Sequence, residues 1–226
     1  MRQPIFEDLE TELLNIKSYL IERYLNMLDP AHNPEKDALE LLEEFIVQFT
    51  EGEEKHRNYI EYMIFLRSYI LLCHAAIEEF IEQTVKYYFE ESVKLFNSSQ
   101  KVNSVLKWFM LKSEFNKQFS DKNFDEIMKQ LKEDYFKLIN DNHGIKTHNL
   151  EKIFSKIGVE DISFEVFNKL GDMRGTFAHS NGKSAHVHLK LQKPLNPQDC
   201  VKLVNDVLER IKHEIIDVLS RQLSIE

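Results

Sequence analysis

Apolar residues recur at three- to four-residue spacing along most of this chain, which is the pattern of amphipathic α-helices. Residues 4–28 follow it, and Asp29-Pro30 closes this first predicted helix. A second helix is predicted over 34–50, with Pro34 at its first position and Gly52 at its end. The pattern therefore predicts a helical N-terminal region.

The third predicted helix is the longest, from about Glu53 to Phe96. Its centre, 64–77, is apolar on nearly every face, and such a helix belongs inside a bundle or at a subunit contact. His74 and Glu78 are four residues apart there and therefore share a face. Two interpretations remain open: a buried histidine with satisfied hydrogen bonds, or a Glu78 that orients a functional cation.

Further helical periodicity follows in five segments. These are 102–119, 125–140, 148–157, a helix from Ser163 into 174–179, and a final helix from Pro197. Between the last two, Ala185–Leu191 alternates and predicts an extended arm or a short strand. Because there is no internal repeat and no long linker, we expect one all-α domain over 1–226, with the N-terminal helices packed on a core of about 60–223.

The segment 102–119 interleaves lysines with aromatic residues, among them Lys107, Trp108 and Phe109. Such interleaving suits stacking on single-stranded nucleic acid. It equally suits an amphipathic face on which lysine stems cover apolar neighbours. The sequence leaves both interpretations open.

Composition strengthens the helical prediction. Only 6 Gly and 5 Pro interrupt 226 residues, which favours long helices. Cys73 and Cys200 lie on apolar helical faces, so we expect reduced core cysteines. The N-terminus lacks a signal-peptide core and no segment is long and apolar enough to cross a membrane. We expect a soluble, cytoplasmic protein without membrane contact.

One segment departs from the acidic character of the chain. Residues 173–198 contain no Asp or Glu and four basic residues, whereas the whole chain has a net charge of −9. Three histidines lie in the same segment: His179, His186 and His188. A basic, histidine-bearing segment on an acidic protein suits phosphate binding, although helix C-termini and loops also collect polar residues.

Arg174 and His179 stand in this segment with four residues between them. A histidine that titrates near neutrality can take the proton of a ribose 2′-hydroxyl, and an arginine can bind the phosphate bidentately. Mid-helix, the two positions would lie about 140° apart. Gly175 and the following Ser180-Asn181-Gly182 indicate that the helix loosens or ends there, which would let the two side chains turn toward one site. A second copy related by a two-fold axis would solve the same problem.

Two stretches carry a family resemblance. Leu170–Ser180, an Arg-x4-His motif before the last helix, resembles the HEPN superfamily, whose mark is an arginine and a histidine with four to six residues between them. Leu71–Ile81 resembles the upstream helix of that family, with Glu78 at its glutamate position. Leu150–Gly158 is similar to the lead-in of the RiboL-PSP-like branch.

The resemblance implies an all-α bundle that dimerises so that two motifs face each other. It implies a metal-independent endoribonuclease of a prokaryotic toxin–antitoxin, abortive-infection or other antiphage system, needing no cofactor. His179 would be the general base and Arg174 the phosphate ligand. The implied partners are an RNA substrate such as tRNA or mRNA, a second copy of the chain, and an antitoxin or other defence protein.

Supporting roles follow from the same resemblance. The polar residue that usually follows the arginine is here Gly175, and the usual glycine after the histidine is Ser180. Residues that would support the site are Glu78, Asp172, Thr176, Ser180 and Asn181. Residues expected to bind RNA are Lys183, His186, His188, Lys190 and Lys193.

Three rival hypotheses remain. The first is a catalytically inactive HEPN module that binds RNA or a partner protein. The second is a metal site made by His186 and His188 with His179, since His-x-His on an extended segment is a metal-binding geometry. The third is an antitoxin or regulatory subunit, which the acidic balance allows.

Overall fold

A computed structural model of the protein describes residues 4–22, 53–112, 123–159, 164–179 and 197–223. Within these ranges the chain is helical and forms no β-strand, which confirms the predicted all-α class. The helices are α1 (Pro4–Lys17, continued by a π-type turn Ser18–Glu22), α2 (Glu53–Ser99), α3 (Ser104–Lys112), α4 (Phe124–Asn140), α5 (Thr147–Phe154, continued by a 3₁₀ turn Ser155–Ile157), α6 (Glu165–His179), α7 (Pro197–Arg210, continued by a π-type segment Ile211–Ile216) and α8 (Asp217–Leu223).

Several predicted helices agree closely with the observed ones. The long helix is confirmed and is unbroken over 47 residues. Helix α4 begins at Phe124, where Asn123 caps it and exchanges hydrogen bonds with Glu126 in a capping box. Helix α7 begins at Pro197 as predicted. The helix predicted over 34–50 and the arm at 185–191 lie outside the described residues.

The chain divides into two compact units. Unit 1 comprises Met1–Ile77 and Lys169–Val207, and unit 2 comprises Glu78–Asn168 and Leu208–Glu226. The prediction of one domain over 1–226 stays a prediction.

Unit 1 has a core drawn from α1, α2, α6 and α7. Leu9, Leu13, Ile70, Leu170 and Val204 are all buried in it. Cys73 and Cys200 are buried, free thiols, as predicted, and burial raises the pKa of each to about 12. Both cysteines therefore stay protonated and serve as small apolar groups.

The apolar centre of α2 is buried only in part. Leu66, Ile70 and Ile77 are buried, but Ile64 and Leu72 keep 54% and 49% of their surface exposed. These two residues are eight apart, about two helical turns, and so lie on one face. Of the two predicted settings for this helix, the interior of a bundle does not hold for this face, and a subunit contact stays a prediction.

Unit 2 is built around aromatic side chains. The ring centroids of Phe89 and Phe109 are 4.5 Å apart, and Tyr135 lies 5.4 Å from the first and 5.2 Å from the second. Gly158, which ends the 3₁₀ turn with φ of 75°, packs so closely on Trp108 that an added Cβ would overlap the indole. Trp108 of α3 therefore packs on Gly158, which follows α5 and its 3₁₀ turn. We call this contact between Trp108 and Gly158 the α3–α5 corner.

No helix among the described residues combines the length and apolarity that crossing a bilayer demands.

Candidate functional site

The predicted motif lies on the last two turns of α6. Leu170 and Gly171 are buried, whereas no residue from Asp172 to Ala178 is buried. The structure describes His179 as the last helical position. The residues of the motif from Asp172 to Ala178 are therefore at least partly exposed, at the C-terminal end of α6 and beyond its buried part.

The helix does not loosen at Gly175, so this half of the expectation is wrong. The other half, a helix that ends at Ser180-Asn181-Gly182, falls outside the described residues. Helix α6 runs unbroken through Gly175 to His179. A glycine inside a helix costs about 1 kcal/mol relative to alanine, which weakens a helix without necessarily ending it. Positions 174 and 179 therefore keep the separation of about 140° that helix geometry dictates.

Arg174 is an exposed cation at this helix end. Within the described part of the chain, no carboxylate lies at ion-pair distance from it. Its positive charge acts on His74 of α2, which is only 2% exposed. Burial, and secondarily the charge of Arg174, lower the pKa of His74 to about 4. His74 is therefore a neutral, buried histidine at physiological pH, in line with the first of its two interpretations.

A second arginine, which we did not single out from the sequence, lies along the same pair of helices. The guanidinium carbon of Arg67 on α2 is 5.3 Å from the ring centroid of Phe177 on α6, a cation–π distance. The same two helices also bring the charge of Arg174 on α6 within electrostatic reach of His74 on α2. We call this contact the α2–α6 seam, defined by Arg67, His74, Arg174 and Phe177. Arg67 could have been found from the sequence, because it is the one Lys, Arg, Asp or Glu in the apolar centre 64–77.

Glu78 anchors a loop. Its Oε1 accepts a hydrogen bond from the backbone N–H of Gly144, a residue with φ of 113°, where glycine is favoured. Asn142 and Asn149 donate to the carbonyl of the same glycine at 3.0 and 3.3 Å. Glu78 thus has a structural role in unit 2, and its predicted support of the site stays a prediction.

Among the other supporting residues, Thr176 donates its hydroxyl to the carbonyl of Asp172 at 2.9 Å, one turn earlier on α6. Both residues are exposed. Their predicted support of the site also stays a prediction. The remaining predicted residues lie outside the described ranges: Ser180, Asn181, Lys183, His186, His188, Lys190 and Lys193.

Among the described residues, no group of three His, Cys, Asp or Glu side chains is arranged to hold a metal ion. The rival metal site of His186 and His188 lies outside those residues and is untested.

Comparison with known proteins identifies the family. A family model described as RiboL-PSP-HEPN matches residues 33–221 of the chain. The match covers most of the 226 residues, so the chain belongs to the RiboL-PSP-HEPN family and with it to the HEPN superfamily. No significant match was found among curated proteins or among solved structures. Family membership is consistent with a nuclease or another RNA-related role.

Proposed function

We propose that this protein is a metal-independent endoribonuclease whose active site is composite, with residues from two copies of the chain. His179 takes the proton of a ribose 2′-hydroxyl, and the 2′-oxygen attacks the adjacent phosphorus. The 5′-oxygen of the next nucleotide leaves and takes up a proton, so that one product ends in a 2′,3′-cyclic phosphate. Arg174 binds the phosphate and stabilises the charge of the transition state.

The observation that carries this proposal is the state of Arg174 in a HEPN-family chain. It is exposed at a helix end, and no described carboxylate neutralises it, although the chain has 38 acidic residues against 29 basic ones. An arginine without a carboxylate partner keeps its planar fork available for a phosphate.

Two features favour a homodimer. Positions 174 and 179 lie about 140° apart on an unbroken helix, so a site made of both is more easily assembled from two copies. Ile64 and Leu72 give α2 an exposed apolar face of the kind that subunit contacts use.

The biological setting rests on the family resemblance alone. We infer a cytoplasmic enzyme of a prokaryotic defence or toxin–antitoxin system, acting on tRNA or mRNA, with an antitoxin or another defence protein as its regulator.

The alternative is a catalytically inactive module that binds RNA or a partner protein. Gly175 favours this alternative because it lacks the side chain that follows the arginine in the usual motif. An added Cβ at Gly175 would meet no atom within 4 Å, so a longer side chain has room there.

The test is cleavage of total RNA and of a tRNA pool in EDTA. His179→Ala and Arg174→Ala should each lower the rate by about 100-fold or more, as expected for loss of a general base or of a phosphate ligand. Matched controls are His213→Ala and Arg221→Ala, which remove an exposed histidine and an exposed arginine of unit 2. Both controls should cleave like the wild type and leave 2′,3′-cyclic ends.

Two results would change the conclusion. Binding of RNA without cleavage by the wild type would establish the inactive module, and Gly175→Asn would then ask whether the missing polar side chain is the reason. Equal cleavage by wild type and His179→Ala would remove His179 from the mechanism.

A further inference from the structure

Arg67 is an unusual residue for its position. It lies on α2 between Leu66 and Tyr69, which are 1% and 2% exposed, in the apolar centre of the helix. Lysine and arginine are mostly exposed residues. Arg67 itself is half-buried, so that part of its side chain reaches solvent although Leu66 and Tyr69 are buried. Its guanidinium is stacked on Phe177 of α6.

The stacking leaves part of the guanidinium unsatisfied. The Nε atom of Arg67 is buried and has no hydrogen-bond partner, and no described carboxylate lies at ion-pair distance. A buried N–H without a partner is unfavourable, whereas a cation–π contact is favourable, so the two effects oppose each other and leave little net stabilisation. A methionine at this position would have neither the unpartnered N–H nor the cation–π contact.

The place of the Arg67 guanidinium, beside the helix that carries the motif, indicates a function for this residue. Phe177 is three residues after Arg174 and two before His179, so the stacked guanidinium is held beside the motif helix. Positions 174 and 177 share a face of α6, and positions 67 and 74 share a face of α2. Since His74 is neutral at physiological pH, the positive charge of the α2–α6 seam comes from Arg67 and Arg174.

We propose that Arg67 is a second phosphate-binding arginine of the RNA site, held in place by stacking on Phe177 and contacting the RNA backbone beside the phosphate bound by Arg174. This inference rests on the proposed function in so far as it takes RNA as the ligand. Arg67 and Arg174 are two positive charges of the α2–α6 seam without described carboxylate partners, and the phosphates of a bound RNA would neutralise them.

The experiment measures binding rather than cleavage. The probe is a short single-stranded RNA with 2′-O-methyl riboses, which lack the attacking hydroxyl, and binding is followed by fluorescence anisotropy at several salt concentrations. Loss of one phosphate contact to a single strand should lower the slope of log affinity against log salt by about 0.7.

Arg67→Met should weaken binding roughly tenfold and lower the salt slope by about 0.7. Arg67→Lys should keep the slope while losing part of the affinity, because it retains the charge without the planar fork. Phe177→Leu should weaken binding through misplacement of Arg67. The matched control, Arg221→Met, removes an exposed arginine of unit 2 and should bind like the wild type.

The outcomes separate this inference from the proposed function. Binding by Arg67→Met with the affinity and slope of the wild type, while Arg174→Met is impaired, would overturn the role of Arg67. If Arg67→Met fails to fold, an unchanged affinity in both Arg67→Lys and Phe177→Leu would overturn it equally. Wild-type binding without cleavage of ordinary RNA would overturn only the endoribonuclease proposal. No binding by the wild type would overturn both.

Discussion

Asn103 in unit 2 and Arg67 in unit 1 are both polar residues in apolar surroundings, but they differ in their partners. Asn103 is 4% exposed; its Nδ2 donates to Ser92 Oγ at 3.0 Å and its Oδ1 accepts from the N–H of Leu106 at 2.9 Å. Ser92 in turn donates to the carbonyl of Tyr88 at 2.7 Å. Arg67 has an aromatic ring beside it and an Nε–H without a partner.

The difference separates a region built for stability from one that carries unbalanced charge. Around Asn103 the hydrogen bonds begin α3 and join it to α2, so the polar group stabilises the fold. At the α2–α6 seam, Arg67 stacks on Phe177 and Arg174 acts on the neutral His74, and neither arginine has a described carboxylate partner. Positive charge without carboxylate partners favours the binding of an anionic ligand.

The largest expected effect is at the α3–α5 corner. Gly158→Ala should lower the free energy of unfolding by about 3–4 kcal/mol, since the new Cβ adds the strain of a left-handed conformation to an overlap with Trp108. Chemical denaturation measures it. The control is Gly175→Ala, which sits in a helix with open space around it and should raise stability by about 0.5–1 kcal/mol. Equal effects of the two substitutions would contradict the packing at Gly158.

The second effect is a pH dependence at the α2–α6 seam. The pKa of His74 in the folded protein, about 4, is below its ordinary value of 6.5. Between pH 6.5 and 4, His74 therefore binds a proton in the unfolded chain but not in the folded chain. The free energy of unfolding is unaffected by His74 above pH 6.5 and falls by up to about 3 kcal/mol as the pH drops to 4.

Denaturation curves over this pH range test the effect. His74→Gln should flatten the pH dependence between 6.5 and 4, and the control His148→Gln, which removes an exposed histidine of unit 2, should retain the wild-type curve. Identical curves for wild type and His74→Gln would show that His74 titrates alike in both states.

The smallest effect compares the two polar residues directly. Asn103→Leu should cost about 1–3 kcal/mol of stability because it leaves the N–H of Leu106 without its side-chain acceptor and removes the donor to Ser92 Oγ, which keeps only its bond to Tyr88. Arg67→Met should change stability by less than about 1 kcal/mol because the lost cation–π contact and the relieved Nε–H nearly cancel. A larger loss for Arg67→Met than for Asn103→Leu, measured under the same conditions, would make Arg67 a structural residue.

Much of the fold could be predicted because its signals are local. The apolar periodicity and the absence of Gly and Pro over 53–99 dictate one long helix, and Pro197 marks the start of α7. The loosening expected at Gly175 was wrong because propensity is a weak term that neighbouring helical hydrogen bonds override. The sequence left open whether the apolar centre of α2 lies inside the bundle or at a subunit contact, because the apolar pattern does not state which side of a helix other elements cover.

The candidate site, like the fold, has features that depend on nearby residues of the chain and features that depend on tertiary packing. The sequence by itself determined the helical class, the family and the position of Arg174 and His179 at a helix end, since these depend on residues close together in the chain. Only the tertiary structure decided that Arg67 and His74, about 100 residues away, share a seam with Arg174 and Phe177. The physical reason is that packing, and not sequence spacing, sets which faces of two distant helices meet, and with them the burial and charge of each side chain.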